Sequence, residues 1–203
     1  MQIKAMDIIV TRYIGIRGTA ILARARYEEL SERYPRWLVD EAACFDENLP
    51  KTSDEISLPE IELAFSNKAV YAEEYTEFGI FEALFQMSKA LKTGLWTDIK
   101  LIPIKQETVE VCDYLKVNPY AMYSGYSSLI VVPGEYTEDL ISVLSDNDIP
   151  AVKIGETAEG NDKIVINEDE RGFLPHIRKD ELKNYLGRRE YYERTDFSNS
   201  GKQ

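Results

Sequence analysis

"SSLIVVPGEYTEDLISVLSDNDIPAVKIG", residues 127–155, changes pattern twice. Leu129 to Val132 form an apolar run with no alternation, the mark of a strand lying centrally in a sheet and covered on both faces. "YTEDLISVLSDND" then reads as a helix, with Thr137 as its expected cap. "PAVKIGETA" returns to strand. The stretch "DKIVINE" follows after "EGND" and predicts a second strand joined to the first as a hairpin.

Upstream, the same alternation holds. "MDIIVTRYIG" reads as a strand ended by Gly15. "RGTAILARARYEELSERYP" reads as one helix whose inner face carries Ile21, Leu22, Ala25 and Leu30, stopped by Pro35. "RWLVDEAACF" and "PEIELAFSNK" predict two shorter helices, separated by the polar connection "DENLPKTSDEISLP". "AVYAEEY" is a short strand, and a helix beginning near Glu77 buries Ile80, Phe81, Leu84, Phe85 and Met87 or Leu91. "LWTDIKLIPI" is extended up to Pro103. "KQETVEVCDYLK" places Val109, Cys112, Tyr114 and Leu115 at helical spacing. Strands alternating with helices give an α/β fold, a layered α/β/α domain with a mixed sheet. Residues 1–175 form that domain, and 176–203 are expected to be a tail that begins helical and ends disordered.

Bulk properties narrow the function classes. The chain has 203 residues, enough for one sizeable core. A net charge of −12 argues against nucleic acid or an anionic membrane as partner. No apolar run approaches the ~20 residues of a membrane span, and Met1-Gln2-Ile3-Lys4 opens no secretory signal, so a cytoplasmic location is expected. Cys44 and Cys112 are the only cysteines, read as buried reduced thiols. His176 is the only histidine, so neither a histidine-based triad nor a zinc site is expected.

One stretch raises a chemical question. "EEYTEFGIFEALFQ", residues 73–86, runs three carboxylates (Glu73, Glu74, Glu77) into a glycine that opens a helix. A glycine at such a junction suits a bound anion, yet its surroundings here are acidic and bulky. A cation is the opposite reading, but residues 73 and 74 point to opposite faces of a strand, which leaves too few converging oxygens for a hard divalent ion. No metal is expected.

Three further stretches, "YIGIRGTAILARARYEEL", "IPIKQETVEVCDYLKVNPYAMYSGYSSLIV" and "IPAVKIGETAEGNDKIVIN", together resemble the C-terminal half of the aminoimidazole ribonucleotide (AIR) synthase superfamily, over roughly residues 6 to 175. That superfamily includes hydrogenase-maturation dehydratases, thiamine-phosphate kinases and selenophosphate synthetases, and the resemblance is strongest in flavour to the hydrogenase-maturation branch. It implies an N-terminal half that holds magnesium–ATP and forms the dimer, and this chain begins almost where the second half begins.

The resemblance also gives the glycine a context. The family segment looks like His-Asp-x-Thr-Glu-Gly-Gly; here it reads Glu73-Glu74-Tyr75-Thr76-Glu77-Phe78-Gly79. Phe78 replaces the first glycine and obstructs close approach of an anion to the backbone. Glu73 replaces the histidine, and each like-charge contact at ~5 Å and a dielectric near 20 costs about 3 kcal/mol before screening. Thr76, Glu77 and Gly79 remain as ligand-side candidates, sufficient also for simple helix capping. A second loop, "NPYxLxSSGSML" in the family, here runs Asn118 to Leu129 with Gly125 one position early and Tyr126 in the glycine's place. Ser124, Gly125 and Ser127 are its candidate ligand contacts. Tyr120, Tyr123 and Tyr126 either line a cleft or, by preference, pack on a neighbour.

Hydrogenase-maturation dehydratases end in a cysteine that carries the reacting group, whereas this chain ends "NSGKQ". No catalytic residue and no cofactor is assigned. The expectation is a stand-alone, non-catalytic relative acting by assembly, as a homodimer, or by small-ligand binding. The alternative is the substrate-side half of a split ATP-dependent enzyme whose partner is a separate N-terminal-half-like chain.

Overall fold

An apolar strand covered on both faces needs helices on each side of its sheet, and the computed structural model of the protein, which describes residues 5–49, 58–75 and 77–194, is arranged that way. In chain order the elements are β1 (Met6–Thr11), α1 (Ile16–Ala25), α2 (Tyr27–Arg33), α3 (Arg36–Ala43), α4 (Pro59–Ser66), β2 (Tyr71–Glu74) and α5 (Gly79–Leu91). They continue with β3 (Gly94–Asp98), α6 (Gln106–Leu115), β4 (Ser128–Pro133), α7 (Thr137–Asp146), β5 (Ala151–Ala158), β6 (Lys163–Asn167), β7 (Glu170–Phe173) and α8 (Glu181–Arg194).

These strands form one mixed sheet in the order β2-β4-β1-β5-β3-β6-β7. β4 and β5 each pair antiparallel with β1, so they run parallel to one another and α7 crosses between them. β3 pairs directly parallel with β6. Alternation along the strands divides the core. Ile8, Val10, Leu129, Val131 and Ile154 face α5, where they meet Ile80, Phe81, Leu84 and Met87. Ile9, Ile130 and Val132 face the other way, onto Ala64 of α4 and Leu140 and Leu144 of α7. A third cluster is built mainly from helices: Ile21 and Leu22 of α1, Val39 of α3, Val111 and Cys112 of α6, and Leu182 and Leu186 of α8. The layered α/β arrangement expected from the sequence is therefore present. No helix among the described residues is long and apolar enough to cross a membrane.

Several local expectations are corrected. β5 and β6 do not form a hairpin, because β3 enters between them: Trp96 pairs with Glu156 on one side and Ile164 on the other. Gly94, at the start of β3, makes room for this. A Cβ there would stand 2.7 Å from the Asp162 carbonyl, so the 159–162 turn can straddle the strand only over a glycine. The hairpin lies one strand later, between β6 and β7.

The long first helix breaks at Arg26 into α1 and α2. β3 stops at Asp98, whose side chain accepts the Lys100 N–H and starts a 3₁₀ turn. Thr137 is the first helical residue of α7 rather than its cap, and its hydroxyl donates to Asp7 Oδ2 at 2.7 Å. Val109 is 39% exposed, its expected place in the core taken by Val111. Cys112 is buried as expected, its thiol pushed up to about 12 by burial, but Cys44 is exposed at the end of α3. The final residues, 195–203, and most of the polar connection before α4, residues 50–57, lie outside the described residues.

Gly79 supports a close backbone contact in the fold's interior. Its φ is +67°, and a Cβ would meet the Tyr120 carbonyl at 2.6 Å and the Met122 carbonyl at 2.8 Å. Gly79→Ala adds left-handed strain of about 1–2 kcal/mol to an overpacking cost of about 1–3 kcal/mol. Urea unfolding is expected to show a loss of about 2–5 kcal/mol, whereas Gly172→Ala, with nothing within 4 Å of its Cβ, should stay within about 0.5 kcal/mol of the parent.

Candidate functional site

β2 and α5 meet at an angle, and the wedge between them is a cleft of about 550 Å³ lined by Tyr71, Glu73, Glu74, Tyr75, Glu77, Phe78, Glu82, Ala83, Gln86 and Leu129. The strand ends where Tyr75 N–H donates to the Ser127 carbonyl at 3.1 Å. Phe78 (φ 63°) and Gly79 (φ 67°) are both left-handed, and these two residues swing the chain from strand into helix. Glycine takes up that conformation freely and phenylalanine only at a cost, so the bulky residue stands in a backbone position shaped for a glycine.

The head of α5 is bonded by a carboxylate from far along the chain. Phe78 occupies the cap position, where Thr76 and Glu77 were expected to do the capping, and offers no side-chain bond of its own. Thr76 lies outside the described residues. Instead Asp180, 102 positions along the chain, accepts the Phe78 N–H on Oδ2 at 2.7 Å. Its other oxygen accepts the N–H groups of Leu182 and Lys183, at 2.9 and 3.3 Å, and so caps α8. One buried carboxylate therefore serves two helix starts. Burial pushes its pKa up to about 6 from an ordinary 3.8, the nearby Glu77 carboxylate adds to the rise, and the three backbone donors oppose it.

The second loop shows the same device. Tyr126 is left-handed (φ 61°), again where the family pattern has glycine. Its N–H donates to Glu74 Oε1 at 2.9 Å, and its ring lies under the Arg12 guanidinium at 4.1 Å. Arg12 in turn makes a two-pronged pair with Glu60, both contacts at 3.2 Å, and Glu60 also accepts from Thr11 Oγ1.

The candidate residues named from sequence thus separate into two groups. Glu77 lines the cleft, and Gly79, next along the chain from the lining residue Phe78, is packed against the backbone of Tyr120 and Met122. Ser124, Gly125 and Ser127 lie beyond the cleft lining. The Ser124 hydroxyl accepts the Gly15 N–H at 2.8 Å, Ser127 Oγ donates to the Tyr13 carbonyl at 2.9 Å, and Gly125 is packed on the Arg17 side chain. Their hydrogen bonds shape the β1–α1 turn. The tyrosines pack: Tyr120 stacks on Phe81 at 5.2 Å and Tyr123 is buried. Although Glu73 and Glu74 alternate on their strand, both border the cleft with Glu77 and Glu82. Among the described residues no group of three or more His, Cys, Asp or Glu side chains is arranged to hold a metal ion. Asp180 is a residue at the border of the site that sequence reasoning misses. Its one local signal, "KDELK" as a capped helix start, says nothing of Phe78.

The family model for "AIR synthase related protein, C-terminal domain" matches residues 7–167. The chain belongs to this family. No curated protein matches it in sequence. Among solved structures, this AIR synthase related domain is similar to the hydrogenase maturation protein HypE of E. coli, with a TM-score of 0.62 and 15% identity over 87% of this chain and 52% of that one. It is similar to HypE in complex with ATP, at a TM-score of 0.66 and 13% identity over 89% of this chain and 53% of that one. Thiamine-monophosphate kinase from Stenotrophomonas maltophilia gives a TM-score of 0.58 and 17% identity, covering 83% and 52%. Such identities carry the fold, and the chain spans about half the length of each structure.

The Arg12–Glu60 pair that anchors the Tyr126 loop gives a direct test. Glu60 is fully buried, so Arg12→Met leaves an uncompensated charge. Urea denaturation is expected to register a loss of about 3–5 kcal/mol, and replacing Glu60 by Gln in the same protein should recover part of it.

Proposed function

We propose that this AIR synthase related domain is a non-catalytic binding and assembly module. Its ligand site is the acidic cleft, and it associates with a second copy of itself. The observation that carries this reading is the Asp180 carboxylate on the Phe78 N–H. A phosphate arriving at the head of α5 would have to displace an internal anion and then stand among Glu73, Glu74, Glu77 and Glu82. Carboxylates and aromatic rings together favour a cationic or neutral polar small molecule. Self-association is supported by the half of the sheet that α4 and α7 do not reach. There Trp96, Ile164 and Phe173 stand in one cross-strand row, with Phe173 77% exposed.

Isothermal titration with magnesium–ATP, AMP or inorganic phosphate at millimolar concentration is expected to return no binding heat. A phosphate group bound against the amides of residues 78–80 would overturn the reading. Sedimentation analysis is expected to give a concentration-dependent dimer that Ile164→Asp weakens at least tenfold.

A second reading takes the chain as the substrate-side half of a split ATP-dependent enzyme, supported by its spanning about half the length of the matched structures. It requires magnesium–ATP turnover on mixing with a separate nucleotide-binding chain, where the first reading expects none.

A further inference from the structure

Between β7 and α8 the chain crosses the head and flank of α5, and the two segments exchange backbone bonds through carboxylates. α5 supplies Glu82, whose Oε2 accepts the Ile177 N–H at 3.2 Å. The crossing segment supplies Asp180, whose Oδ2 accepts the Phe78 N–H at 2.7 Å. Between these bonds, His176 stacks flat on Phe85, with ring centroids 4.3 Å apart, and its Nε2 lies 3.5 Å from Glu82 Oε1. Leu174 and Leu182 anchor the two ends, one in the sheet–α5 core and one in the helical cluster. Glu82 and Phe78, which hold the segment, are also walls of the cleft, and so is Glu77, the carboxylate that acts on Asp180.

We propose that residues 174–182 form a clasp over the head of α5 that tightens on acidification and loosens as pH rises, gating the acidic cleft. The direction follows from the groups that face one another. Asp180 meets the Phe78 N–H and the Glu77 carboxylate from the head of α5, and the Leu182 and Lys183 amides from α8. His176 meets Phe85 and Glu82, and Lys163 of β6 stands 5.2 Å over the Phe85 ring.

In the closed clasp Asp180 is desolvated and beside Glu77, and its pKa is about 6; in the open chain it returns towards 3.8. Closing therefore takes up a proton anywhere between these values. The closed form is favoured below about 4, and this advantage is lost as pH climbs through about 6. The difference between the two pKa values bounds Asp180's effect on the closing equilibrium at about 100-fold.

Amide hydrogen exchange read by NMR tests this on the intact chain, with rates corrected for intrinsic pH dependence. The Phe78 and Ile177 amides are expected to lose protection together, by about 10- to 100-fold between pH ~4.5 and ~7.5, while the Ile130 amide of the central strand does not change. Asp180→Asn should remove most of the pH dependence at both positions, and Glu82→Gln should lower protection at both. Independent behaviour of the two amides, or constant protection across this range in the parent, overturns the clasp. Gating rests on the cleft being the ligand site. A protein with coupled exchange that binds no alkylammonium probe, such as putrescine, at any pH keeps the clasp and loses the binding role.

Discussion

The turn at Phe78–Gly79 is pressed against the backbone of residues 120–122, and the rest of the molecule is organised around that contact. Because Gly79 has no Cβ, α5 can start hard against the Tyr120 and Met122 carbonyls. That seat fixes how α5 lies on the sheet, so that Ile80, Leu84 and Met87 join Ile8, Val10, Leu129 and Val131 in one cluster. Met122, fully buried, carries the chain onward to Ser124 and Ser127, whose hydroxyls are engaged by the turn between β1 and α1. One close backbone approach therefore ties the central strand, the α5 layer and the helical cluster together.

Carboxylates do within this protein what bound anions do at many helix starts. Two aromatic residues stand in left-handed positions, Phe78 and Tyr126, and in each case the backbone N–H is accepted by a side-chain carboxylate, from Asp180 and from Glu74. A left-handed non-glycine residue costs about 1–2 kcal/mol, and a charge-assisted bond to its amide is of similar size. The strain is thus offset locally. Glu60 follows the same logic inside the core, accepting from Thr11 and Arg12. In a chain of net charge −12, this use of its own carboxylates leaves the Phe78 amide at the head of α5 with no need of an external anion.

Much of the architecture is legible from pattern. The apolar run at 129–132 is a central strand, and the helices on either side of it fall close to where their periodicity puts them. The departures have a common origin. The expected β5–β6 hairpin is absent because a turn of the right length says nothing about whether a third strand lies beneath it. Thr137 has the chemistry of a cap but is drawn to Asp7, a partner 130 positions away. Ser124 and Ser127, named from a polar loop, bond through their hydroxyls to backbone groups of the β1–α1 turn, again far away along the chain.

By itself the sequence determined the alternation of strands and helices, the apolar centre of the sheet and the crowding of the glycine turn by Phe78, because periodicity and side-chain bulk are local properties. Only the tertiary structure decided that Asp180 meets Phe78, that Glu74 meets Tyr126, and that four glutamates border one cleft. Those pairings join residues distant along the chain, and a hydrogen bond depends on where two groups come to rest in space, which no short window of sequence contains.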